Sequence, residues 1–108
     1  MKGGFVQVTT TTQSNADAAK IAHALVEGRL AACAQVAGPI TSTYWWQSAL
    51  ETADEYVCVI KTRAELYESV EAAILRLHPY ETPEIVAIPI LRASDDYLAW
   101  IERETDRH

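Results

Sequence analysis

The sequence predicts an α+β sandwich in which one antiparallel sheet carries helices on one face and an extra helix closes the chain. Segments rich in β-forming residues alternate with segments whose apolar residues recur at helical spacing. Their order is strand, helix, strand, strand, helix, strand, helix. At 108 residues the chain is long enough for one core and too short for two, so residues 1–108 are predicted to form a single domain.

The first half of the chain supplies a strand, a helix and a bent strand. Residues 5–12 begin with apolar β-formers and end in a run of threonines, which predicts a central strand. Ser14 begins a capping-box pattern, apolar residues then recur at helical spacing, and Gly28 ends the helix. Residues 30–36 place alternate apolar side chains on one face, and residues 41–46 continue this strand after a bend at Gly-Pro.

The third strand and the second helix follow directly. Residues 56–60 form a compact β-branched and aromatic run, and the polar residues 47–54 are predicted to turn the hairpin that joins strands two and three. Thr62 and Glu65 form a second capping box. The helix after them is predicted to end at His78, because the proline that follows cannot continue the hydrogen-bond ladder.

The last two elements complete a known arrangement. Residues 84–91 predict a fourth strand, in which Pro89 requires an edge or a bulge, and Ser94 begins the closing helix. Two βαβ units joined by a hairpin give a ferredoxin-like βαββαβ sandwich. The sheet face opposite the helices is predicted to lack cover, with the aromatic residues 44–46 nearby, so we expect a homo-oligomer.

Composition and charge exclude several classes of protein. Hydrophobic residues make up 49% and charged residues 22%, as in ordinary folded proteins, and the net charge of −6 argues against nucleic acid as a partner. No apolar stretch approaches the roughly 20 residues that span a bilayer, and no signal-peptide pattern opens the chain, so we expect a cytoplasmic protein with no membrane partner. The two cysteines lack the spacing of a redox or zinc motif, which predicts reduced, buried thiols.

Residues 78–84 hold an imidazole, a phenol and two carboxylates in a segment stiffened by two prolines. His78 with Glu81 suits copper, zinc or nickel, although a histidine at this place also caps a helix C-terminus. Cys33 is a further candidate metal ligand, because a thiolate binds soft metals, and its alanine neighbours equally favour a packed small residue.

A different interpretation is a small-ligand pocket. Lys61 lies where a strand meets a helix and could hold an anion, and with Tyr80, Trp46 and Glu84 it could line a cleft between subunits. The aromatic residues equally suit a core or a subunit interface. No catalytic constellation is present in the sequence, which predicts that the protein is not an enzyme.

Several blocks of this sequence together resemble the CutA family from residue 5 to about residue 103. The matching blocks are Leu30-Ala31-Ala32-Cys33-Ala34, Ser42-Thr43-Tyr44-Trp45-Trp46, Glu55 with Val59-Ile60-Lys61-Thr62, His78-Pro79-Tyr80-Glu81-Thr82-Pro83-Glu84 and Tyr97-Leu98-Ala99-Trp100-Ile101. The resemblance implies a ferredoxin-like subunit, an intertwined homotrimer, and a role in tolerance of divalent cations, copper above all. Similarity of fold to the PII regulators implies the alternative, a trimeric signalling module that binds an anionic metabolite.

The chain departs from the family pattern at two places. Ser48 stands where the family commonly has glycine in the hairpin, so the turn there is expected to differ in shape. The copper-site pattern described for family members uses a cysteine at the end of the first strand and a pair of histidines. Here Thr10 and Leu77 occupy two of those positions and only His78 matches. A copper site would therefore need Cys33, Glu81 or a neighbouring subunit to complete it.

Overall fold

Four strands form one antiparallel sheet, in the spatial order β2-β3-β1-β4. The computed structural model describes residues 3–106. Its elements are β1 (Phe5–Thr12), α1 (Asn15–Glu27), β2 (Cys33–Trp46), β3 (Ala49–Arg63), a 3₁₀ turn (Ala64–Leu66), α2 (Tyr67–Leu77), β4 (Val86–Pro89) and α3 (Asp95–Glu104). The predicted order and the ferredoxin-like sandwich are confirmed.

The core lies between the sheet and the helices α1 and α2. Val8 of β1 and Ile60 of β3 are fully buried there, together with Ile21 of α1 and Ile74 of α2. Because side chains alternate between the two faces of a strand, every second residue of β1 and β3 contributes to this core. The hydrophobic effect of this burial fixes the sheet against the two helices.

The helix ends follow capping rules at most of the predicted places. The Ser14 hydroxyl accepts a hydrogen bond from the Asp17 N–H at 3.1 Å, and the Ser94 hydroxyl accepts one from the Tyr97 N–H at 3.3 Å. The helix α2 ends at Leu77, with His78 as its cap. These three predictions are confirmed.

The predicted cap at Thr62 is wrong. Thr62 belongs to β3, is fully buried, and donates its hydroxyl proton to the Leu30 carbonyl oxygen at 2.7 Å. The chain then makes the 3₁₀ turn, and α2 begins at Tyr67 without a side-chain cap. A buried threonine satisfies its hydroxyl within the fold, and here this requirement overrides the local capping pattern.

The hairpin is longer than predicted. The chain reverses at Gln47 and Ser48 alone, whose φ angles are 50° and 68°, and residues 49–55 pair with β2 instead of forming a loop. Apart from Leu50 these residues are polar or small, and all but Glu55 are exposed or half-exposed, so they lack the apolar alternation that signals a strand. Likewise β2 begins at Cys33 instead of residue 30, and it continues through the bend with a register shift between Ala37 and Ile40.

The fourth strand lies at an edge of the sheet, as Pro89 requires. It is shorter than predicted, four residues from Val86 to Pro89, and it pairs with β1 alone. The predicted open face is covered at one end. There the Arg63 side chain donates to Thr105 Oγ1 at 2.8 Å, and Ile101 of α3 is fully buried, so α3 packs against the end of β3.

Candidate functional site

The imidazole of His78 joins the end of α2 to the end of β1. Its Nε2–H donates to the Thr11 carbonyl oxygen at 2.7 Å, and its Nδ1 accepts from the Tyr80 N–H at 3.1 Å. The carbonyl can only accept, which assigns the proton to Nε2. With 9% of its surface exposed, His78 has both ring nitrogens bonded to backbone groups, and it thereby positions the segment that carries Tyr80.

A phenol and a carboxylate form the polar centre of the site. The Tyr80 hydroxyl donates to Glu55 Oε2 at 2.7 Å, and the Tyr80 ring lies 4.7 Å from the His78 ring, centroid to centroid. Burial, then the hydrogen bond to Glu55 and the charges of Glu55, Tyr44 and Asp17, raise the pKa of Tyr80 above its ordinary value of 10.0. The phenol therefore stays protonated at neutral pH and donates a hydrogen bond to the Glu55 side chain.

An open cleft of about 770 Å³ lies beside this pair. The residues that line it come from the end of β1, the hairpin and the segment after α2; they are Thr11, Ser42, Thr43, Tyr44, Trp45, Trp46, Glu55, Tyr80, Glu81, Thr82, Pro83 and Glu84. Three carboxylates and four aromatic rings are thus gathered in one place. No lysine, arginine or histidine is among these described lining residues, so the cleft carries negative charge.

The cleft contains four of the seven predicted site residues. Tyr80, Trp46, Glu81 and Glu84 line it. Lys61 lies elsewhere, and its Nζ donates to Gln35 Oε1 at 3.0 Å. It is six residues from Glu55 along β3, or roughly 20 Å at the rise of an extended strand.

Cys33 is paired with Lys61 in the β2–β3 ladder, so it lies at the same distant end of the sheet. Its thiol is half-buried instead of buried. Burial first, and then the electrostatic interaction and hydrogen bond with Cys33, raise the pKa of Tyr97. Cys58 is fully buried, as predicted for both cysteines. Within one subunit the fold does not bring Cys33 to His78.

Metal ligands are not assembled within the described part of one subunit. Residues 3–106 contain no group of three or more His, Cys, Asp or Glu side chains placed to hold a metal ion. Thr10, at the position of the pattern's cysteine, is fully buried, and its Oγ1 has no hydrogen-bond partner. The prediction that His78, Cys33 and Glu81 ligate a metal stays a prediction.

Glu55 is the central residue that sequence reasoning left out of the site. It is only 7% exposed, and it lies opposite Ile40, immediately after the register shift in β2. A charged residue beside the apolar run of β3 is a signal for a buried functional carboxylate, since charges are seldom buried without a partner. Its neighbours in space come from a segment 25 residues away, which no local pattern reveals.

The fold and this cleft together define a small α+β sandwich protein with a long aromatic hairpin and an acidic cleft lined partly by that hairpin. The chain belongs to the CutA1 divalent ion tolerance protein family, whose model matches residues 6–104. It is 38% identical over 102 residues to the divalent-cation tolerance protein CutA of Archaeoglobus fulgidus, covering 94% of this chain and 97% of that protein. The corresponding protein of Thermus thermophilus is 39% identical over 98 residues, or 91% and 95% of the two chains.

Solved structures agree with the sequence relatives. The CutA1 crystal structure from Ehrlichia chaffeensis superposes with a TM-score of 0.92 at 31% identity, covering 99% of this chain and 100% of that one. A structure from Archaeoglobus fulgidus, described as a periplasmic divalent cation tolerance protein, has a TM-score of 0.91 at 36% identity, covering 94% and 99%. A plant relative, from Arabidopsis thaliana, is named as chloroplastic. Cytoplasmic localisation of this chain stays a prediction.

The helices give no sign of a membrane span. Among the residues that the structure describes, no helix has both the length and the apolar character that crossing a bilayer requires.

Proposed function

We propose that this protein is a non-enzymatic homotrimer that binds a divalent cation, with copper as the leading candidate, and so contributes to tolerance of divalent metal ions. Membership of the CutA1 divalent ion tolerance family supports the role. The observation that carries the proposal is the acidic cleft, in which Glu55, Glu81 and Glu84 meet without a lining lysine or arginine among the described residues. Such a cleft attracts cations and repels anions.

Exposed apolar surface supports assembly of several copies. Trp45 is 73% exposed and Leu50 61% exposed, and the two are direct cross-strand partners on the hairpin. Val86 and Ile88 on the edge strand β4 are about half exposed, at 49% and 51%, and one edge of that strand has no neighbour among the described residues. Apolar patches and open strand edges of this kind favour contact with another chain.

The donor set of one subunit favours a metal site shared between subunits. Both ring nitrogens of His78 are bonded to backbone groups, Cys33 lies at the distant end of the sheet, and Thr10 and Leu77 replace two ligands of the family's copper pattern. Copper and zinc ordinarily take several nitrogen, sulfur or oxygen ligands. Glu81 is exposed on the rim of the cleft, where donors from a second copy could join it.

Calorimetric titration with Cu(II), and with Zn(II) and Mg(II) as controls, tests the metal part of the proposal. We expect saturable binding of Cu(II) near one ion per subunit, weakened at least tenfold in Glu81→Gln. His78→Ala and Cys33→Ala test the other two predicted ligands in the same way. Binding no tighter than that of a surface histidine, or an isotherm unchanged in all three variants, would refute the metal site.

Light scattering at micromolar concentration tests the assembly. We expect a particle of three chains, each of 12.0 kDa. Detection of a single 12.0 kDa species alone would refute the trimer, and with it a metal site that requires donors from two subunits.

A second candidate function is a small-ligand-binding module of the PII type, and the size and aromatic lining of the cleft favour a small organic ligand, although its charge does not favour an anion. Tyr80, Trp46 and Glu84 line the cleft as that interpretation requires, whereas Lys61 does not, so the expected anion-holding cation is missing from the described lining. Thermal stabilisation by a metabolite set tests it, since a ligand at a hundred times its dissociation constant adds about 2.7 kcal/mol of stability. No shift with any compound would count against this candidate.

A further inference from the structure

From the lining of the cleft we infer that it binds an organic ammonium ion, with Glu55 as counter-charge and the rings of Tyr44, Trp46 and Tyr80 as walls. The inference rests on the second candidate function above, since it names the chemical class of a small ligand for that cleft. The ligand would occupy the same cleft that supports the metal proposal, but its counter-charge, Glu55, is not among the three predicted metal ligands His78, Cys33 and Glu81.

The first argument is the uncompensated charge of Glu55. The residue is 7% exposed, and among residues 3–106 it forms no salt bridge. The Tyr80 hydroxyl, a neutral donor, bonds its Oε2 at 2.7 Å. Buried carboxylates are ordinarily paired with a cation or a metal, because desolvation penalises the charged form. A carboxylate held in this way beside a cleft presents a site for a positively charged ligand.

The second argument is the aromatic wall. Tyr44 and Trp46 stand on the same face of the hairpin, two residues apart on β2, and each is 40% exposed. Tyr80 also lines the cleft, where its hydrogen bond to Glu55 holds it. The faces of such rings attract alkylammonium groups, and tryptophan is the strongest of them. Rings and a carboxylate together favour an ammonium group with attached carbon over a hydrated ion.

The third argument comes from the ligands that fit less well. A metal ion requires several close donors, and the described residues of one subunit contain no such group. An anion would meet three carboxylates and no cationic lining residue among those described. A volume of about 770 Å³ lies within the range of small-molecule sites, which supports a ligand of several carbons.

Calorimetric titration with butane-1,4-diamine tests the inference, with the neutral butane-1,4-diol as the matched ligand. The full chain is first treated with chelator, so that no metal contributes. We expect saturable binding of the diamine and none of the diol. Glu55→Gln, which keeps an oxygen for the Tyr80 hydroxyl, should weaken diamine binding at least tenfold, and Trp46→Leu should weaken it roughly five- to thirty-fold.

Glu68→Gln supplies the matched control, because it removes the same charge from an exposed position on α2 that does not line the cleft. Its affinity for the diamine should change less than twofold. Equal weakening by Glu68→Gln and Glu55→Gln, equal binding of diol and diamine, or no saturable binding would overturn the inference. If Glu55→Gln fails to fold by circular dichroism, Trp46→Leu decides, since Trp46 is partly exposed.

The outcomes separate this inference from the proposals it accompanies. Stabilisation by another class of metabolite without diamine binding would refute the ammonium ligand and leave the small-ligand function standing. Copper binding in the earlier titration, without diamine binding here, would leave the metal function standing alone.

Discussion

The two halves of the β2–β3 ladder differ in how far their side chains are buried, and therefore in what stabilises them. In the body of the sheet, residues 33–37 pair with residues 57–61, and Cys58 and Ile60 are fully buried beneath the helices. In the hairpin extension, residues 40–46 pair with residues 49–55, and nearly every side chain is exposed or half-exposed. The two halves share one continuous pair of strands. The hydrophobic core therefore stabilises the body directly, whereas the extension keeps apolar surface available for a partner.

The largest expected difference between the two halves is the effect of losing an isoleucine side chain. Ile60→Ala in the body should lower the free energy of unfolding by about 3 kcal/mol, within the range for a fully buried residue, because it leaves a cavity. Ile40→Ala in the extension, 39% exposed, should lower it by less than about 1 kcal/mol. Urea unfolding of both variants measures the contrast. Equal losses would mean that the extension is buried in solution, as in an assembled oligomer.

The next largest loss of stability is expected from a substitution at Gly38, where the two halves of the ladder meet. Gly38 has a φ of 150°, and a Cβ there would lie 2.7 Å from Tyr56 Cδ2 and 3.0 Å from the Glu55 carbonyl oxygen. Gly38→Ala should therefore lower stability by about 2 kcal/mol and displace Glu55. Gly4→Ala is the matched control, because its Cβ would meet nothing within 4 Å. Comparable unfolding midpoints for the two variants in urea would show that the junction tolerates a side chain.

Alkaline pH should lower the stability of the body of the sheet, because the buried Cys58 thiol then ionises on unfolding. Burial raises the pKa of this thiol from 9.0 to about 11, so the folded state holds the proton more tightly than the unfolded state. The resulting stability is complete below pH 9 and is lost as pH rises towards 11, by up to about 2 kcal/mol. Thermal melts across this range measure it. In Cys58→Ala the decline should begin only above pH 10, where Tyr80 contributes; an unchanged profile would contradict the assignment to Cys58.

The same contrast explains what could be predicted from the sequence. In the body, apolar alternation and capping residues such as Ser14 and Ser94 led to correct elements, because burial and local hydrogen bonds decided the structure there. In the extension, residues 49–54 were mistaken for part of a turn, because neither of their faces is buried and alternation is lost. Glu55 was missed as a site residue because its role depends on Tyr80, which only the tertiary fold brings near.

The smallest expected effect lies at the tip of the extension. Ser48 has a φ of 68°, a left-handed conformation that glycine adopts at little cost. Ser48→Gly should raise the free energy of unfolding by about 0.5–1 kcal/mol, because it relieves this strain at an exposed position.

Ser42→Gly is the matched control for that substitution, since Ser42 lies within β2, where glycine weakens a strand. Chemical unfolding should show the two variants moving in opposite directions. A destabilised Ser48→Gly would mean that contacts of the serine side chain outweigh its backbone strain. Stabilisation would instead show that the turn is strained. It would also show that the free energy of unfolding can be raised at the tip without any change to the core, because different forces stabilise the two halves of the ladder.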